Sequence, residues 1–186
     1  MRATWLTDIH LNFLRPLALK AFYERVRGEQ PHVLLVTGDI GEADSVARFV
    51  DELGAIAPIY FVLGNHDYYR SSIAAVRGQM ERLASDTATW LPAHAPLRLT
   101  QKTVMLGIDG WGDARCGDIE SQVQLSDWQL IDEFRSRVNA RLMLLPPHDP
   151  QFRRNRERVV RDAERENLLL DWDLGIPEED AIAGES

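Results

Sequence analysis

A chain of 186 residues with 45% hydrophobic content is long enough for one domain with a buried core, or for one domain and a tail. Its formal net charge of −8 argues against a general binder of nucleic acid or of anionic membranes, and no apolar run approaches the ~18 residues of a membrane span. A single cysteine, Cys116, rules out an intrachain disulfide and points to a reducing, cytoplasmic setting.

The N-terminus has no signal-peptide pattern, because Arg2–Leu6 leads straight into a polar motif, Asp8-Ile9-His10. The apolar run Ala3–Leu6 reads as a first strand. Pro16 then suits the first turn of a helix whose apolar stripe is Leu19, Phe22, Tyr23 and Val26, with Gly28 as its stop. Val33–Val36 forms a second strand and ends at Gly38-Asp39-Ile40. A second helix carries Val46, Phe49, Val50 and Leu53, and Gly54 closes it. Ile59–Leu63 is a third strand and ends at Gly64-Asn65-His66-Asp67. A third helix runs from about Ser72 to Leu83, with Ile73, Val76, Met80 and Leu83 inward. Strand and helix in alternation imply parallel pairing with right-handed crossovers, so the three strands should be buried neighbours.

Beyond Ala84 the alternation stops. Thr87–Leu91, Leu97–Leu99 and Val104–Ile108 read as short strands, the last two turned into a hairpin by Gln101-Lys102. The loop Asp109–Asp118 holds three Gly and three Asp and has the composition of a segment bordering a site. Cys116 lies in it with no helix start or basic cluster to lower its pKa, so it reads as a passive thiol. Ser126 is placed to cap a fourth helix bearing Ile131, Phe134 and Val138. Residues 153–166 contain six Arg and four acidic groups, and residues 171–186 contain six acidic groups and no basic one. The first stretch reads as a solvated helix and the second as a frayed end. The chain therefore divides into a domain over residues 1–138 and a divergent charged tail over 139–186.

Each of the three polar motifs follows an apolar run, and strand ends are where open α/β sheets bind ligands. Two Asp, two His and one Asn delivered to one sheet edge suit hard-to-borderline divalent metals. Phosphoester hydrolysis by two ions ~3.5–4 Å apart needs one bridging carboxylate and several neutral ligands. Asp8 and His10, two apart, point the same way if the strand continues through them, and they could share one ion. Asp39 follows a glycine that allows close backbone approach and is the natural bridge. Asn65 offers an amide oxygen to a second ion. His66 points elsewhere, where it could protonate a leaving oxygen or hold the phosphate, and Asp67 could orient it as a second carboxylate.

These motifs resemble the calcineurin-like metallophosphoesterase family over residues 1 to about 135. The resemblance implies an α/β fold, part of that family's sandwich with a truncated or divergent C-terminal portion. It also implies two divalent ions (Mn, Fe, Zn or similar). Asp8, His10, Asp39 and Asn65 match the metal ligands and His66 the phosphate-contacting residue. The implied substrate is a phosphorylated small molecule, a nucleotide or a phosphoprotein.

The family pattern continues with a His after a further strand and then Gly-His-x-His. After Asp67 this chain has only His94 and His148, and no Gly-His pair. His94, in Pro-Ala-His-Ala-Pro, reads as a turn residue, and His148 is an imperfect substitute for the first missing His. The expectation is a phosphoesterase whose second ion is weakly held and whose turnover is weak or absent. The alternative is a non-catalytic remnant or binding module that keeps the fold. A gene truncated or frame-shifted near Asn139 would account for both the missing motifs and the charged tail.

Overall fold

The computed structural model describes residues 2–83, 85–110 and 126–135. Four parallel strands, β1 (Ala3–Leu6), β2 (Val33–Thr37), β3 (Ile59–Val62) and β4 (Ala88–Trp90), form a sheet in the order β1-β2-β3-β4. Thr4 pairs with Leu34, Leu34 with Ile59 and Ile59 with Ala88, so these residues share one face. The connecting helices are α1 (Pro16–Gly28), α2 (Val46–Gly54) and α3 (Ile73–Leu83), close to the spans the periodicity predicts. Right-handed crossovers between successive neighbouring strands put every helix on the same side. That side holds the core. Leu34, Val36, Ile59, Phe61, Ala88 and Trp90 of the sheet cluster with Tyr23 and Val26 of α1, Val46, Phe49, Val50 and Leu53 of α2, and Ile73, Val76 and Met80 of α3.

The opposite face differs from the expectation of buried strands. Residues of β1 alternate between exposed and half-buried, and Trp5 is 68% exposed. The cause is positional: among the described residues β1 is the sheet edge, and none of the described helices covers its outer face. Leu35, Tyr60 and Val62 on that face line a cavity of about 460 Å³ together with Leu91, Met105, Leu106 and Ile108. The predicted hairpin is present as β5 (Leu97–Arg98) paired antiparallel with β6 (Val104–Met105).

The predicted fourth helix is broken. It appears as α4 (Asp127–Leu130) and α5 (Asp132–Arg135), separated by an extended Ile131 (φ −100°, ψ 127°). Ile131 is drawn into a parallel bridge with Ser71, where the Arg70 amide donates to the Leu130 carbonyl and the Asp132 amide to the Ser71 carbonyl. Ser126 makes no side-chain cap. A tertiary backbone pairing thus outcompetes a helix that its sequence favours only weakly. The expectations for Val138, Cys116, His148 and the tail over 139–186 fall outside the described residues.

Phe61 sits at the centre of this core with 1% exposure. Phe61→Ala should lower unfolding free energy by ~3–5 kcal/mol. A denaturant midpoint shifted down at unchanged slope would show this, and a shift of only a few tenths would place the core elsewhere.

Candidate metal centre

Motif one leaves β1 through a backbone that turns at once. Asp8 (φ 50°) and His10 (φ 42°) are both left-handed, as is Asp39 (φ 52°) of motif two. Non-glycine residues in that region cost ~1–3 kcal/mol each, and such strain concentrates at functional sites. The strand therefore does not continue through Asp8 and His10, and the two side chains separate. Asp8 is exposed, and its carboxylate accepts from the Thr7 hydroxyl at 2.6 Å. His10 is held inward by its amide, which donates to the Asp39 carbonyl at 2.9 Å, while the Leu11 amide donates to the Ile40 carbonyl at 2.9 Å.

Motifs two and three meet through their glycines. Gly38 has φ +85°, and a Cβ built on it would lie 2.7 Å from the Gly64 nitrogen. A Cβ on Gly64 would lie 2.1 Å from Asp39 Oδ1. Two backbones approach this closely only where neither residue has a side chain. In the resulting space the Asp39 carboxylate accepts from the His66 amide at 3.1 Å through Oδ1 and lies 3.8 Å from His10 Nε2 through Oδ2. The His10 and His66 rings meet edge to face, with centroids 4.6 Å apart.

One ligand atom each from His10, Asp39 and His66 lies within 4.8 Å of the others, and all three residues are half-buried. Asp8 is not part of this group. The Nδ1 atoms of both imidazoles are buried with no hydrogen-bond partner. A carboxylate 3.8 Å from His10 Nε2, grouped with two imidazoles that each keep a ring nitrogen unpartnered, is an arrangement that a divalent cation would satisfy, and the donor set suits a borderline ion such as Mn²⁺, Fe²⁺ or Zn²⁺. The residues present therefore fit a metal.

Asp67 has a different position from the one its sequence neighbour suggests. Its carboxylate, fully buried, accepts from the amides of Ile40 (2.8 Å) and Gly41 (2.9 Å) through Oδ1 and of Gly64 (2.9 Å) through Oδ2. It clamps the motif-two loop to motif three and leaves the His66 ring nitrogen unpartnered. Burial pushes its carboxyl up to about 7, against the lowering effect of the Gly41 and Gly64 amides. Asn65 directs its amide nitrogen to the Tyr69 hydroxyl at 3.1 Å.

Two supporting residues carry no motif signature. Asp109, 5% exposed, accepts from the Leu63 amide (2.8 Å), the Trp90 indole (3.0 Å) and the Tyr68 hydroxyl (2.7 Å), and its Oδ2 lies 3.4 Å from Arg77 Nε. It fixes the strand end immediately before motif three. Its sequence signal was its place at the start of the Gly- and Asp-rich loop Asp109–Asp118, which reads as bordering a site but does not single out Asp109. Tyr69 is 4% exposed and stacks on His66 with centroids 4.3 Å apart and planes 30° apart. Burial, then the Asp127 carboxylate, pushes its phenol up to about 12, so it stays protonated at neutral pH.

The calcineurin-like phosphoesterase family model matches residues 1–183, nearly the whole chain. The chain belongs to that family. The match runs past residue 135, where the motif resemblance stops, and through the segment set apart as a tail. Neither a curated protein nor a solved structure matches the chain.

Two outcomes follow from this geometry. Gly64→Ala should displace Asp39 and weaken uptake of a divalent ion at least ~10-fold, the scale on which support of metal ligands acts. Gly28→Ala, whose Cβ would meet nothing within 4 Å, should leave uptake unchanged, and calorimetric titration distinguishes the two. Asp67→Ala should leave three buried amides without an acceptor, at ~1–3 kcal/mol each. A denaturation midpoint close to wild type would show that the clamp is dispensable.

Proposed function

We propose that this chain is a metal-dependent phosphoesterase with an incomplete two-ion site and weak turnover. The observation that carries the reading is the convergence of His10, Asp39 and His66 with two buried, unpartnered imidazole nitrogens. Family membership supports the reaction class. Among the described residues no helix is long and apolar enough to cross a membrane, and the single Cys116 supports a cytoplasmic setting.

In this reading His10 and Asp39 would hold a first ion and Asp39 and the Asn65 amide oxygen a second, while His66, within reach of the same cluster, is assigned to the substrate. Asp8 joins the first ion if its carboxylate leaves the Thr7 hydroxyl. Bound divalent ions supply a nucleophile at neutral pH and neutralise charge on the phosphoryl oxygens. His66, packed against the His10 ring, contacts a phosphoryl oxygen and donates the proton that the leaving oxygen requires. Asp67 acts from behind, by holding the loops that carry Asp39 and His66. Substrates are phosphorylated small molecules, nucleotides or phosphoproteins.

The second ion is the weak point, because the sequence contains no Gly-His pair to complete its ligands. That same absence supports the second reading, a binding module that retains the fold without turnover. Metal analysis of the purified chain together with hydrolysis of an aryl phosphate in added Mn²⁺ separates them. One ion held tightly, a second weakly, and slow Mn²⁺-dependent release of the phenol are expected. Binding without release favours the module, and no metal uptake refutes both metal-centred assignments. Asp39→Ala should abolish uptake at both positions, Asn65→Ala should weaken only the second, and His66→Ala should cut turnover ~10²–10⁴-fold with ion affinity retained. Loss of ion affinity in His66→Ala would make that residue a ligand instead.

A further inference from the structure

We infer that Tyr69 is a positioning residue that presents the Asn65 amide oxygen toward the centre and fixes the plane of the His66 ring. The inference rests on the metal-centre reading above and adds a residue to it. Asn65 and Tyr69 flank a single 3-10 turn, His66–Tyr68, so that the fourth residue after Asn65 returns alongside it. The Tyr69 hydroxyl accepts from Asn65 Nδ2 at 3.1 Å. An amide has two chemically opposite ends, and only the oxygen can ligate a hard cation. A partner that takes the nitrogen end therefore selects the rotamer in which the oxygen faces away from Tyr69. Without it the two orientations differ little in energy, and the ligand would be correctly presented only part of the time.

The ring performs a second task. It lies against the His66 imidazole with centroids 4.3 Å apart and planes tilted by 30°, and His66 also meets the His10 ring edge to face at 4.6 Å. His66 has no hydrogen bond at Nδ1 to hold its plane, so packing between two rings is what limits its rotation. Tyr69 is itself anchored by burial at 4% exposure. One immobile side chain thus touches two proposed site residues through different atoms, and the two contacts can be removed separately.

The test titrates the full chain with Mn²⁺ alone in four forms: wild type, Tyr69→Phe, Asn65→Ala and the double variant. Tyr69→Phe keeps the ring and should weaken the second ion ~10-fold, with no effect on the first. In the Asn65→Ala background the same change should have no further effect, because its target is gone. A merely structural role would weaken binding equally in both backgrounds, and that result, or unchanged affinity in Tyr69→Phe, overturns the inference. Nuclear magnetic resonance of the Asn65 side-chain amide provides a reading independent of metal. Its two protons should be distinct and protected in wild type and averaged toward solvent values in Tyr69→Phe. If wild type takes up no Mn²⁺, the metal reading falls while the amide signal still decides whether Tyr69 orients Asn65. An amide signal identical in the two forms overturns the inference in either case.

Discussion

The Asp67 carboxylate joins the two loops on which the centre depends. Its two oxygens accept three backbone amides, from Ile40, Gly41 and Gly64, in a site with no access to water. Each of those amides lies in the loop beyond a strand, where the ladder has finished and the backbone donors need another acceptor. A single anion that satisfies all three makes the ends of β2 and β3 into one rigid unit. Burial of the carboxyl is itself costly, as its raised pKa shows, so the interaction persists because removing it would leave several buried donors unsatisfied.

With the loops fixed, the two glycines set how close they come. Gly38 and Gly64 meet backbone to backbone, and the room for the Asp39 carboxylate is the space a Gly64 side chain would fill. Left-handed backbone at Asp8, His10 and Asp39 is the strain that accompanies this packing. Asp109 supports the same assembly from the far side, through the Leu63 amide and the Trp90 indole. The centre is therefore held largely by polar contacts to backbone, and the two imidazoles that converge there with Asp39 each keep a buried ring nitrogen without a hydrogen-bond partner.

The helical face and the open face of the sheet contrast in the same terms. Leu34, Val36, Ile59 and Phe61 are sealed under α1, α2 and α3 because the handedness of the crossovers permits no other side. Leu35, Tyr60 and Val62 face the other way, into a cavity that Met105 of β6 also lines, and Trp5 on the edge strand is exposed. The site straddles neither layer. It sits at the edge where both end, which is why loop geometry rather than core packing decides it.

The sequence by itself determined the strand–helix alternation, the parallel sheet and the placement of three motifs at strand ends. Those features rest on periodicity within about ten residues, and local apolar patterning encodes them directly. His10, Asp39 and His66 were legible as candidates for the same reason. Only the tertiary structure decided which of the motif residues converge. Asp8 turns to Thr7 because of a backbone dihedral that no spacing rule signals. Asp67 takes backbone amides 26 and 27 residues away in place of the neighbouring His66 ring. Ile131 leaves its helix to pair with Ser71, and Asp109 reaches back 46 residues to Leu63. Each of these contacts joins segments far apart in the chain through single polar groups. Such groups leave no periodic trace in the sequence, and their partners are fixed only once the sheet has brought the loops together.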